Sequence, residues 1–231
     1  DDETQAETEE TEEEEPDQVI IQEKVSFELE DYEALFNKLS VLAVECSRGL
    51  VTVTCATSET DWFNNLMENQ RHGTGAIVAD NGLEILVLTE RKILEDADRI
   101  SVTFTDGTVA DAEMKSYDGN TGLAVLSIDK STLSEETTNS LKIVTLGNSN
   151  LVTKGAPIIA AGSPLEYADA AVFGNITSQS NYTRTSDANY KVLTTDILGS
   201  ANGTGVLLNM KGEVIGIISQ DIAEEDTSST V

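Results

Sequence analysis

A glycine-rich turn, Gly199-Ser-Ala-Asn-Gly-Thr-Gly205, holds the side chains in this sequence best placed to do chemistry. It feeds an apolar strand at Val206-Leu-Leu208, a two-residue turn at Lys211-Gly212 and a second apolar strand ending at Ile217. Its two hydroxyls, Ser200 and Thr204, become nucleophiles only beside a group that activates them. Such groups are scarce. The one histidine, His72, stands in Asn69-Gln-Arg-His72 with no Cys, His or Asp cluster at ligand spacing. It therefore reads as an exposed loop residue, and neither a metal nor any other cofactor is implied. Cys46 follows a helix-like segment and Cys55 lies within the strand Leu50-Val-Thr-Val-Thr-Cys55. An extended chain from Gly49 onward carries their Cα atoms beyond the roughly 7 Å limit for a disulfide. Both are expected as buried free thiols.

The turn and the strands after it resemble the nucleophile segment of HtrA/Deg-type serine proteases of the trypsin-like (chymotrypsin) fold, which reads N-P-G-N-S-G-G-P-L-L-N and then G-E-V-I-G-I. Five further segments resemble that family in its own order. Gly73-Thr-Gly-Ala-Ile-Val78 looks like G-S-G-V-I-I, and Asp96-Ala-Asp-Arg-Ile-Ser-Val-Thr-Phe-Thr-Asp-Gly107 like G-A-D-K-I-K-V-T-L-x-D-G. Asp118-Gly-Asn-Thr-Gly-Leu-Ala-Val-Leu126 looks like D-P-E-T-D-L-A-V-L. Thr145-Leu-Gly-Asn-Ser149 looks like L-G-D-S, and Ala161-Gly-Ser-Pro-Leu165 like the G-N-P turn. Each is weak alone. Together they run from about Arg48 to Ser219.

The resemblance assigns the three catalytic positions, and all are degenerate. The family histidine lies in T-N-N-H-V-V, matched by Thr89-Glu-Arg-Lys-Ile-Leu94, so Lys92 fills the base position. The family aspartate precedes L-A-V-L, and here that residue is Gly122. The family serine falls on Gly203, which has no side chain to attack a carbonyl. The triad needs an imidazole to take the serine proton and a carboxylate to hold the imidazole; Lys92, Gly122 and Gly203 supply none of these. Chemistry rebuilt from neighbours would pair Lys92 with Thr204 or Ser200, but a one-residue shift in a tight turn aims the hydroxyl elsewhere. Glu90 offsets Arg91, so nothing in the sequence marks Lys92 as an activated base. In the family the same turn presents N–H groups to a developing oxyanion. Without a nucleophile, Ala201-Asn202-Gly203 is expected to depart from that geometry.

The elements that must position these residues follow from periodicity. Apolar residues at Leu35, Phe36, Leu39, Leu42 and Ala43 predict one short helix over Asp31–Glu45, ended by Gly49. Beyond it β-branched runs recur between turn signals at Asn81-Gly82, Asp106-Gly107, Asp118-Gly119, Gly162-Ser-Pro164 and Lys211-Gly212. That spacing predicts an all-β protein. The resemblance narrows it to two six-stranded antiparallel β-barrels, from about Arg48 to Asp129 and from about Leu141 to Ser219. The expected division is an acidic linker at 1–28, then helix, first barrel and polar link at 29–139, second barrel at 140–222 and a tail at 223–231.

Charge excludes several partner classes. The net charge is −28, from 42 acidic against 14 basic residues. Such a chain is unsuited to nucleic acid or to anionic membrane surfaces, both of which need clustered cations. Asp1–Asp17 is almost wholly Glu, Asp and Thr with no basic residue, and reads as a solvated spacer. No run of about 18 apolar residues is present to span a bilayer. In relatives of this kind an acidic linker often follows a membrane anchor, and a PDZ domain often follows the protease unit. The resemblance thus implies a bacterial protein outside the cytoplasm, at the cell surface, tethered upstream of Asp1. The loop Asp61-Trp-Phe-Asn-Asn65 adds Trp62 and Phe63 as a candidate partner anchor.

The sequence thus reads as a pseudoprotease, binding a protein or extended peptide without cutting it, with Ala201, Asn202, Gly203, Trp62 and Phe63 as candidate binding residues. Homo-oligomerisation is compatible with that role. Two alternatives stand beside it: an active serine-type endopeptidase with displaced catalytic residues, and a structural domain that positions a following one.

Overall fold

The computed structural model describes residues 26–60, 66–184 and 189–219. Helix α1 (Leu29–Ser47) begins with a capping box, in which the Glu28 N–H donates to Asp31 Oδ2 at 3.0 Å, and it ends just before Gly49. It is a longer helix than its apolar spacing predicted. The predicted stripe is also not a core face: Leu35 is 50% exposed, and only Ala43 and Cys46 are buried. Near its N-terminal end, Phe36 packs edge-on against Phe173 at 6.1 Å between ring centroids.

Strands β1 (Leu50–Thr60), β2 (Leu66–Asp80), β3 (Glu84–Glu90), β4 (Arg99–Thr103), β5 (Val109–Asp118) and β6 (Leu123–Asp129) close into one barrel. Their order is β1-β2-β3-β6-β5-β4, with β1 pairing back onto β4 so that Val53 faces Val102. Alternation drives the closure. Val51, Val53 and Cys55 point inward while Thr52 and Thr54 do not, and Val87, Val102, Leu126 and Ile128 fill the interior. Each such aliphatic side chain contributes about 1.5–3 kcal/mol when fully buried.

After a six-residue helix α2 (Glu135–Ser140), capped by Ser134 in the polar link, come β7 (Thr145–Leu146), β8 (Pro157–Ser163), β9 (Ala170–Arg184), β10 (Asn189–Thr195), β11 (Thr204–Leu208) and β12 (Glu213–Ile218). They form a curled six-stranded sheet, β10-β9-β8-β11-β12-β7. This curled half-barrel is the second unit of the expected double-barrel fold, with two local departures from a closed, wholly antiparallel barrel. The described strands leave this sheet open between β10 and β7, and β7 pairs parallel to β12. The cause is local: β7 is two residues long, pinned by Val144 N–H to Ile77 O (2.8 Å) and Gly147 N–H to Val214 O (2.8 Å). β8 and β11 lie between two cores. Ile159, Ala161, Val206 and Leu208 pack toward α1 and the first barrel, while Ile158, Ala160 and Leu207 pack inside the curl. Burial on both faces explains their unbroken apolar runs.

Cys55 lies in the barrel core and Cys46 on the covered side of α1's last turn, both free and buried. Burial pushes the Cys55 thiol up to about 11. His72 is exposed as expected, but it sits on β2 and not in a loop. Its Nδ1 shares a 3.0 Å hydrogen bond with the Thr54 hydroxyl on the paired strand.

Candidate functional site

The seam between the barrel and the curled sheet is built from hydroxyls. Thr204, the first residue of β11, is 1% exposed. Its Oγ1 accepts the Thr74 N–H at 2.8 Å and donates to Thr74 Oγ1 at 3.2 Å; Thr74 Oγ1 in turn donates to Thr204 O at 3.3 Å. From the barrel side, Thr89 Oγ1 donates to Thr74 O at 2.9 Å. These buried bonds weld β2, β3 and β11 together. The Thr204 hydroxyl faces the seam, not solvent.

Immediately before it lies the glycine turn. The Ser200 N–H donates to Pro164 O at 3.1 Å and the Gly203 N–H to Ser200 O at 2.9 Å. The Gly203 N–H is thus turned inward. A side chain at Gly203 has no room, since a Cβ there falls 2.4 Å from Pro164 O and 3.0 Å from Ser200 O, both backbone atoms. Glu166, held in a left-handed conformation (φ 69°), closes the turn from the β8–β9 loop. Its Oε1 accepts the Ser200 hydroxyl and the Asn202 amide, the latter at 3.1 Å. These bonds, Ser200 foremost, hold the Glu166 carboxyl below its usual range. Asn202 and Ala201 are exposed at the tip.

Across the seam, a 3₁₀ turn at Arg91–Leu94 follows β3. Ile93 and Leu94 are buried in the barrel, and this leaves Arg91 and Lys92 on the outside. The Arg91 N–H donates to Gly122 O at 2.8 Å, which brings the Lys92 turn and Gly122 side by side. Arg71 Nη1 reaches Lys92 O at 3.4 Å, and the Arg91 guanidinium lies 4.5 Å over the Tyr117 ring. Gly122 adopts φ 68° at the end of a turn organised by Asp118, whose carboxylate accepts the Asn120 N–H and the Thr121 hydroxyl. The nearest carboxylate along the chain therefore serves turn geometry. Trp62 and Phe63 lie outside the described residues. No group of three or more His, Cys, Asp or Glu suited to a metal occurs among the described residues.

The six-strand barrel, the curled partner sheet and a seam bounded by these three turns form a recognisable scaffold. A family model described as a trypsin-like peptidase domain matches residues 73–217. The chain belongs to that family. Its relatives are of the HtrA type. The chain is 29% identical over 172 residues to "Serine protease Do-like HtrA" of Lactobacillus helveticus, covering 73% of this chain and 40% of that protein. It is 34% identical over 154 residues to a protein of Pseudomonas putida (strain GB-1) described as "Probable periplasmic serine endoprotease DegP-like", covering 66% of this chain and 30% of that one. Among solved structures, "HtrA-type protease AlgW with decapeptide" superposes with a TM-score of 0.63 at 20% identity, over 83% of this chain and 61% of that one. This chain spans less than half the length of these two sequence relatives.

Of the residues that shape this seam, the sequence singled out the glycine turn, Lys92 and Gly122. It missed Glu166, Pro164 and Thr74. Only Thr74 left a signal, being flanked by Gly73 and Gly75 as a backbone in close contact requires. Glu166 acts on the turn from 34 and 36 residues away, and Pro164 from a similar distance.

Proposed function

We propose that this domain is a pseudoprotease that binds an extended peptide or protein outside the cytoplasm without hydrolysing it. The observation that carries the reading is Gly203, where a nucleophile's Cβ would lie 2.4 Å from the Pro164 carbonyl. Three further features support it. The Gly203 N–H is bonded to Ser200 O and so is not offered to an oxyanion. The Ser200 hydroxyl is bound to Glu166, and the Thr204 hydroxyl is buried against Thr74. An acylation step needs a hydroxyl bonded to a competent base. Glu166, its carboxyl held below its usual range, is a weak base for Ser200, and the Thr204 hydroxyl is spent on Thr74.

Binding needs no nucleophile. An extended segment adds to a sheet edge through main-chain hydrogen bonds, with side-chain subsites setting preference. The exposed tip at Ala201 and Asn202, next to buried Gly203 and beside the seam, is the surface assigned to it; the anchors expected from the sequence, Trp62 and Phe63, lie outside the described residues. Relatives described as periplasmic support a site of action outside the cytoplasm, and among the described residues no helix is long and apolar enough to cross a membrane.

The test is a fluorophosphonate probe and a casein assay on the purified chain, with Ser200→Ala and Thr204→Ala in parallel. No labelling and no cleavage are expected. Labelling that disappears in either variant would instead establish a displaced nucleophile and an active endopeptidase.

A further inference from the structure

A cleft away from the glycine-turn seam lies between α1, the segment leading into β7 and the turn between β11 and β12. It has a volume of about 380 Å³, within the range of sites that hold small ligands or a few peptide residues. Its wall is aliphatic, with Leu42 and Val41 from α1 facing Val144 of the segment before β7. Its rim is cationic. Lys38, Lys142 and Lys211 line it from three different elements, in a chain with only 14 basic residues against 42 acidic ones. Chance scatter over so acidic a surface does not favour three lysines around one apolar recess. The rim already holds one carboxylate, since Lys142 Nζ bonds Glu45 Oε2 at 3.0 Å. Thr145 of β7 also lines the cleft, and β7 is the edge strand of its sheet among the described residues.

We infer that this cleft binds an acidic, extended peptide carrying an aliphatic side chain. The aliphatic side chain enters the recess under α1, and flanking carboxylates meet Lys38 and Lys211, Lys142 being already paired with Glu45. Lysines on separate elements favour a ligand with several carboxylates over a single charged head group. The net charge of −28 opposes acidic peptides overall, so attraction here rests on the local lysines. The inference is independent of the glycine-turn seam and stands whether or not that seam binds anything.

A fluorescein-labelled Glu-Asp-Leu-Asp-Glu peptide titrated against the full chain, read by anisotropy, tests it. Saturable binding that weakens with added salt is expected, with the isosteric Gln-Asn-Leu-Asn-Gln probe at least about tenfold weaker. The Lys38→Glu, Lys211→Glu double variant is expected to weaken the acidic probe by about tenfold or more, and Val41→Asp by a similar factor. All three side chains are exposed, so the folded state is retained, which circular dichroism checks. Equal binding of the neutral probe, parent-like binding by the double variant, or no saturable binding at all would overturn the assignment.

Discussion

At Gly203 the decisive quantity is a distance. Placing the family's residues at the proposed triad positions (Lys92→His, Gly122→Asp, Gly203→Ser) supplies the groups but not the space they need. The new serine Cβ meets the Pro164 carbonyl at 2.4 Å, and the new aspartate inherits a left-handed backbone at φ 68°. The triple variant is therefore expected to remain unlabelled by fluorophosphonate and to lose stability. Overpacking of this kind costs about 1–3 kcal/mol and left-handed strain adds about 1 kcal/mol. Urea unfolding beside the probe assay measures both. Thr204→Val separates the structural hydroxyl from catalysis. Its shape is conserved, but the buried Thr74 N–H loses its 2.8 Å acceptor, an expected cost of about 1–3 kcal/mol with no change in reactivity.

Among the elements, α1 and the closed barrel contribute very differently. Leu126 on β6 is fully buried in the barrel, so Leu126→Ala is expected to cost about 2–5 kcal/mol, the range for a large-to-small change in a packed core. Leu35 on α1 is half exposed, and Leu35→Ala is expected to stay within about 0.5 kcal/mol of the parent. The same urea titration distinguishes them. Equal, large losses would mean that α1 buries its apolar face against something in solution. The helix was legible from its apolar spacing, but which side of it is covered was not. Leu35, Phe36 and Leu42 share the period, yet Leu35 is half exposed while Phe36 meets Phe173 and the C-terminal turn, around Ala43 and Cys46, is the part buried against the sheet.

For the whole molecule, charge sets how stability responds to pH and salt. Several carboxylates are held below their ordinary values by named partners: Asp80 by Lys130, Glu84 by Lys115, Glu45 by Lys142, and Glu166 by Ser200. Asp118 is held low by the Asn120 N–H, and Asp196 by Asn175. A carboxyl whose folded value lies below its unfolded one, 3.8 or 4.5 for these groups, contributes stability above that unfolded value. The contribution is lost as pH falls through the depressed folded value. The urea midpoint is therefore expected to drop as pH falls below about 4. Glu166→Gln removes one of these groups and is expected to flatten the acid limb slightly. At neutral pH the −28 charge repels itself, so raising salt is expected to raise the midpoint, the reverse of what a protein held by surface ion pairs would show.

What the sequence determined by itself was whatever depends on neighbours along the chain. Period-two alternation in β1 and the turn pairs were enough for an all-β chain, and the resemblance carried by the ordered motifs implied the trypsin-like frame, with Lys92, Gly122 and Gly203 as the proposed triad positions. The absence of side chains at two of those positions is a fact of composition that folding cannot alter. Tertiary structure decided what depends on distant segments meeting. It brought Pro164 and Glu166 onto the turn at Ser200–Gly203, and it paired Thr74 with Thr204 across 130 residues. It also left the second sheet open between β10 and β7 among the described residues and set three lysines around one recess. No periodicity encodes these outcomes, because each is a contact between surfaces whose approach is fixed only when the two cores pack together.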